Sequence, residues 1–155
     1  MKLRFVWIGK TKSAPVRDLI QEYLDRIRRF AAVEVTEIRD RDDVGADTRR
    51  IIDKEGEVIL SQTQADPLLI ALDERGRELD SIKLAQLIEK HRLGGTKQIT
   101  FVIGGPNGLA EAVRERADIV LALSRMTLTH ELARVLLIEQ VYRAFAIIHD
   151  LPYQK

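Results

Sequence analysis

The amino-acid sequence predicts an α/β fold, a mainly parallel sheet with helices on both faces. Short apolar runs alternate with longer segments whose apolar residues recur at three and four, which is the pattern of strands joined by covering helices. The run at 99–103, Ile-Thr-Phe-Val-Ile, is almost wholly apolar, as a strand buried on both faces requires. The chain has 155 residues, 45% of them hydrophobic, enough for one core and too few for two, so a single domain over 1–155 is predicted.

Residues 3–8 form the first strand, broken by Gly9-Lys10-Thr11-Lys12. Ser13 as cap and Pro15 in a first turn open a helix on which Val16, Leu19, Ile20, Tyr23, Leu24, Ile27 and Phe30 share a face. Val33, Val35, Thr36 and Ile38 mark a second strand. The polar connection at 40–46 carries both charge signs and is expected to be mobile. Asp47 caps a second helix with Ile51, Ile52, Val58 and Ile59 inward, and Gly56 within it costs about 1 kcal/mol relative to alanine. Residues 68–72 form strand three, and Ser81 caps a helix through Leu84, Leu87, Ile88 and His91 that Gly94-Gly95 ends. Strand four is followed by a helix at 110–116, a strand at 119–123, a long helix at 131–149 and a short tail.

Composition removes several chemistries. No cysteine is present, so disulfides, thiolate nucleophiles and thiolate metal sites are excluded. With 25 Lys and Arg against 24 Asp and Glu the net charge is +1, and any nucleic-acid contact has to be local or composite rather than a bulk field. No apolar stretch reaches the roughly 18 residues of a membrane span, and the first residues run straight into strand-like sequence, so a soluble, cytoplasmic protein without a membrane partner is expected.

Ligands of parallel sheets sit beyond the carboxyl ends of the strands, which directs attention to the segments after Leu72, Ile103 and Leu123. Ile103-Gly104-Gly105-Pro106-Asn107-Gly108 joins a buried strand to a helix. It is either a ligand-approaching loop or a tight turn without one, and it is not a dinucleotide fingerprint, because Pro106 lacks the amide proton of a phosphate cradle. Gly9-Lys10-Thr11 lacks the upstream glycine of a phosphate-binding loop. His130-Glu131-Leu132-Ala133-Arg134 has arginine where a zinc-protease helix needs its second histidine, so no metal is predicted. The stretch from Leu121 to His130 interleaves apolar residues with hydroxyls. A pocket for a flat ligand wants that mixture, and a loop buried against its own core would also explain it. The last helix is apolar around too much of its circumference for one-sided burial, which favours a two-fold homodimer over an internal helix. Arg134, Glu139 and Arg143 interrupt it, and they either pair or act.

Several segments taken together are specific: Asp53-Lys54-Glu55-Gly56-Glu57, Leu72-Asp73, the 103–108 loop, Leu128-Thr129-His130-Glu131-Leu132-Ala133-Arg134-Val135-Leu136, and Glu139-Gln140-Val141-Tyr142-Arg143-Ala144. Along its whole length the chain resembles the small SPOUT methyltransferases that modify N3 of a pseudouridine in large-subunit ribosomal RNA. The resemblance implies a C-terminal trefoil knot, S-adenosyl-L-methionine as cofactor, a homodimer, and action on the assembled 70S ribosome. It places the cofactor against Leu72, Gly104, Leu123, Ser124, Arg125, Met126, Thr127 and Leu128, and it puts His130, Arg143 and Tyr153 near the reacting centre. Alternatives are a SPOUT enzyme acting on a different nucleotide and a non-enzymatic α/β binding module. Gln154 stands where the family leads one to expect histidine after the Pro-Tyr pair. Glutamine takes no proton near neutral pH, so proton transfer would fall to His130, water or buffer.

Overall fold

Five parallel strands in the order β2-β1-β4-β3-β5 make up the sheet of the computed structural model, which describes residues 1–40, 45 and 47–154. Along the chain the elements are β1 (Lys2–Ile8), α1 (Ala14–Ile27), β2 (Ala32–Ile38), α2 (Thr48–Thr63), β3 (Leu69–Glu78), α3 (Ser81–Leu93), β4 (Gln98–Ile103), α4 (Glu111–Arg116), β5 (Ile119–Ala122), α5 (His130–Ile148) and a final 3-10 turn, Pro152–Gln154. The central strand is β4, whose residues from Ile99 to Ile103 are all buried, as its unbroken apolar run requires. Residues 41–44 and 46 of the polar connection lie outside the described residues.

Alternation along β1 builds two cores. Leu3, Phe5 and Trp7 face α1, α3 and α5, with Phe5 and Phe101 stacked at 5.5 Å. Val6 and Ile8 face α2 and α4, where Ile59, Leu109 and Val113 close the second layer. Helices therefore cover both faces, as the sequence predicts. The helix α5 lies against α1 and α3, burying Leu137, Ile138, Val141 and Phe145. Leu132 and Leu136 on the same helix remain 49% and 41% exposed.

Several boundaries differ from expectation for identifiable reasons. Helix α1 stops at Ile27, and Phe30 stands beyond it, stacked on Phe145 at 5.5 Å. Ser13 occupies the cap position without a side-chain cap bond. Asp80, not Ser81, caps α3 by accepting from the Lys83 amide at 2.7 Å, while Ser81 donates to Gln140 Oε1 at 2.6 Å. Asp47 caps α2 as predicted, accepting from Arg49 N. The cost assigned to Gly56 is offset by packing, since a Cβ there would come within 2.4 Å of Ala110 Cβ. Strand β3 continues past Leu72 to Glu78, and its pairing with β5 shifts register between Leu72 and Arg77.

Candidate functional site

Residues 72–75 of β3 and the segments after β4 and β5 open onto one cavity of about 930 Å³. Leu72, Gly104, Leu123, Ser124, Met126, Thr127, Leu128 and His130 line it together. Arg125 does not: its guanidinium donates to the Glu74 carbonyl at 2.8 Å and lies 3.5 Å from Glu78, turned onto the end of β3.

Each loop is shaped locally. Gly104 closes the turn after β4, because a Cβ at that position would sit 2.5 Å from the Gly108 carbonyl oxygen and 2.8 Å from its carbon. Ser124 Oγ accepts from the Met126 amide at 2.9 Å, and Thr129 Oγ1 accepts from Leu132 N at 3.3 Å, capping α5 and setting His130 at its first turn. Met126 is 78% exposed at the cavity mouth.

A polar wall that the site reading did not include completes the cavity. Asp73 accepts from Arg75 Nε at 3.0 Å and from Arg114 at 3.2 Å, and the side chains of Asp73 and Arg114 are only 7% and 13% exposed. Burial works to raise the Asp73 pKa, but the hydrogen bonds from Arg75 and the charges of Arg75 and Arg114 outweigh it and hold the carboxyl below its ordinary value. Arg49 and Asp53 of α2 and Glu111 of α4 stand on the same wall. Only the Leu72-Asp73 pair at the end of an apolar strand hinted at this in sequence.

His130 titrates below the ordinary histidine range. Burial is the main cause, followed by the charge of Arg134, with Glu131 and Asp40 opposing and Lys12 adding to the depression. The imidazole is therefore neutral at pH 7 and can accept a proton.

Arg143 and Tyr153 are not at this cavity. They lie toward the other end of α5, where Arg143 is about 20 Å along the helix axis from His130 at 1.5 Å per residue and Tyr153 folds back beside it. There Glu139 accepts from Arg143 at 2.6 Å and from the Tyr153 hydroxyl at 3.0 Å, and Tyr23 and Tyr153 hydroxyls are 2.9 Å apart. The Arg143 guanidinium lies 4.7 Å from the centroid of the Tyr153 ring. Burial, together with Tyr23 and Glu139, raises the Tyr153 pKa well above the ordinary phenol value, so the hydroxyl stays protonated. One chain thus carries two separated clusters. Among the described residues no group of three His, Asp or Glu is placed to hold a metal ion, and no helix is long and apolar enough to cross a membrane.

Known proteins resemble this chain over nearly its whole length. It is 44% identical over 153 residues to the ribosomal RNA large subunit methyltransferase H of Trichlorobacter lovleyi, and 45% identical over 153 residues to the protein of that name from Geobacter sulfurreducens, with 99% of each chain covered in both comparisons. Among solved structures, the tRNA (m1G37) methyltransferase of Aquifex aeolicus superposes with a TM-score of 0.54 at 19% identity, covering 92% of this chain and 70% of that one, which is a likeness of fold. A family model described as "Predicted SPOUT methyltransferase" matches residues 1–154. With three parallel strands contributing to one cavity and this match over nearly every residue, the chain belongs to the SPOUT methyltransferase family.

Proposed function

We propose that the protein methylates N3 of a pseudouridine in large-subunit ribosomal RNA on the assembled 70S ribosome, using S-adenosyl-L-methionine and working as a cytoplasmic homodimer. The observation that carries this reading is the cavity on which residues 72–75 of β3 and the segments after β4 and β5 converge beside His130. The names of its full-length relatives support the RNA substrate.

The cavity fits the cofactor chemically. Leu72, Leu123 and Leu128 offer apolar surface to a flat base, the tight turn from Gly104 to Gly108 brings main chain to the cavity wall, and the Asp53 and Glu111 carboxylates suit its positive charges. When bound, the cofactor supplies a methyl group on an electrophilic sulfonium. His130 takes the proton of the imide N3–H through an imidazole nitrogen, leaving the nitrogen lone pair for the methyl carbon. Arg143 neutralises charge that develops on the uracil carbonyls, and the Tyr153 ring packs on the base.

Because Arg143 stands about 20 Å from His130 in one chain, with Tyr153 beside it, these roles require a second copy. The exposed Leu132 and Leu136, one turn apart on α5 between the two clusters, supply an apolar face for it. The trefoil knot belongs to the same proposal. Light scattering is expected to give a dimeric mass for the parent and a monomeric mass for Leu132→Glu/Leu136→Glu, with methyl transfer lost in the variant. A monomeric parent at micromolar concentration contradicts the shared site.

A net charge of +1 supports recognition of an assembled particle over naked RNA. Methyl transfer to 70S particles is expected to exceed transfer to protein-free ribosomal RNA by at least ~10-fold at moderate salt. Equal rates on the two would remove the particle from the proposal.

A further inference from the structure

Arg134 is the only basic side chain fully buried among the described residues, at 0% exposure, and none of their carboxylates lies within ion-pairing distance of it. Its guanidinium donates to the Ile8 carbonyl and to Thr11 Oγ1 at 2.9 Å, and it stacks over Trp7 at 5.1 Å from a ring centroid. Its Nε has no partner among the described residues. A buried cation held this way is a liability that an aliphatic side chain of similar reach would avoid, so packing does not account for it.

Arg134 ties together segments that border the site. Ile8 ends β1, and its side chain lies against Gly105 of the 104–108 loop, where a Cβ would come within 3.2 Å of Ile8 Cγ2. Thr11 lies in the β1–α1 turn, whose Lys12 and Ser13 amides donate to the Glu131 carboxylate. Arg17 braces that turn by donating to the Thr11 and Lys12 carbonyls at 3.0 and 2.8 Å. Glu131 follows His130, and Arg134 stands one helical turn after His130 on α5.

We propose that Arg134 is a positioning residue for methyl transfer: its donated bonds fix the β1–α1 turn and, through Glu131, the start of α5, so that His130 faces the cavity with a fixed cation one turn behind it. The proposal rests on the reading of His130 as proton acceptor. The groups that bear on the imidazole are Arg134 and Glu131 on α5, Lys12 in the β1–α1 turn, and Asp40 after β2. Arg49 and Asp53 of α2, Asp73, Glu74 and Arg75 of β3, and Glu111 and Arg114 of α4 line the same cavity. Glu131 and Asp40 favour the imidazolium, and Arg134 opposes them. Although burial lowers the Arg134 pKa to about 10, the guanidinium stays charged at neutral pH.

The test uses full-length protein with Arg134→Met and Arg134→Lys, each checked by thermal unfolding and by calorimetry with S-adenosyl-L-methionine. Imidazole titrations are followed by NMR, with the three histidines assigned through single His→Gln substitutions. In Arg134→Met the His130 titration is expected to move up toward the ordinary histidine range while cofactor affinity stays within about threefold. Methyl transfer at pH 7 falls on the order of tenfold, and its acid limb moves to higher pH. Arg134→Lys restores the titration and only part of the rate, because the charge returns without the two-point hold. Should Arg134→Met fail to fold, Thr11→Val removes one anchor alone, and it is expected to lower the rate with cofactor affinity intact. An unchanged His130 titration in Arg134→Met, or an unchanged rate in Thr11→Val, overturns the proposal. The titration needs no RNA, so its outcome stands apart from whether ribosomal RNA is the substrate.

Discussion

Gly104→Val is expected to weaken S-adenosyl-L-methionine binding by ~100-fold or more, equivalent to about 2.8 kcal/mol. The atoms that a Cβ would meet are backbone: the Gly108 carbonyl oxygen at 2.5 Å, its carbon at 2.8 Å and Leu109 Cα at 3.1 Å. None of these is the free end of a side chain that could swing away, so the 104–108 segment has to shift as a unit. That segment forms one wall of the cavity, and Leu109 anchors it in the α2–α4 core at 6% exposure. The displacement therefore reaches the ligand rather than dissipating in solvent. Calorimetry measures the affinity, with a thermal melt to show that the variant remains folded at the assay temperature. An affinity within threefold of the parent would mean that the cofactor does not use this wall.

Subunit mixing is expected to give a large effect in the opposite sense. His130→Ala and Arg143→Ala are each expected to lower methyl transfer by ~100-fold or more, since each removes a group assigned to the reacting centre. If the centre takes His130 from one protomer and Arg143 from its partner, a dimer of one variant with the other holds one intact site and one doubly damaged site. An equal mixture, allowed to exchange subunits, then regains about a quarter of the parental activity, because half of the dimers are mixed and each has one of two sites working. A site built within a single chain predicts no recovery at all. The separation of about 20 Å along α5 is what makes these alternatives distinct. Tagged purification of the mixed dimer shows that exchange has taken place.

Much of the fold was legible because local and tertiary demands coincide. The almost wholly apolar 99–103 run is the central strand β4 and is buried on both faces. The alternation of strands with periodic helices gives the parallel sheet covered on each side. Strand β3 runs longer than its apolar stretch, because its residues 73–78, Asp-Glu-Arg-Gly-Arg-Glu, are polar and mostly exposed. Of these, Arg77 and Glu78 join β5 through backbone pairing after a register shift, and side-chain pattern carries no trace of that. Adjacent capping residues, Asp80 and Ser81, cannot be ranked by pattern when one of them is claimed by Gln140 on a distant helix.

The site was legible to the extent that it is made of strand ends. The segments singled out after Leu72, Ile103 and Leu123 do converge. Arg125 was grouped with its neighbours by position along the loop, whereas its long side chain is drawn to Glu74 and Glu78. The polar wall of Asp73, Arg114 and Arg49 comes from three elements far apart in sequence, and so does the hold of Arg134 on β1. Conversely, the predicted helix at 131–149 already sets His130 apart from Arg143, whereas the fold-back that puts Tyr153 beside Glu139 and Arg143 leaves no trace in spacing.

The central claim is tested most directly by transfer of radiolabelled methyl from S-adenosyl-L-methionine to 70S ribosomes from cells that lack this activity, followed by mass spectrometry of the digested RNA. The account predicts label on a single large-subunit nucleotide, a pseudouridine carrying the new methyl group at N3. Label on another nucleotide, or none from a protein that demonstrably binds the cofactor, would contradict it.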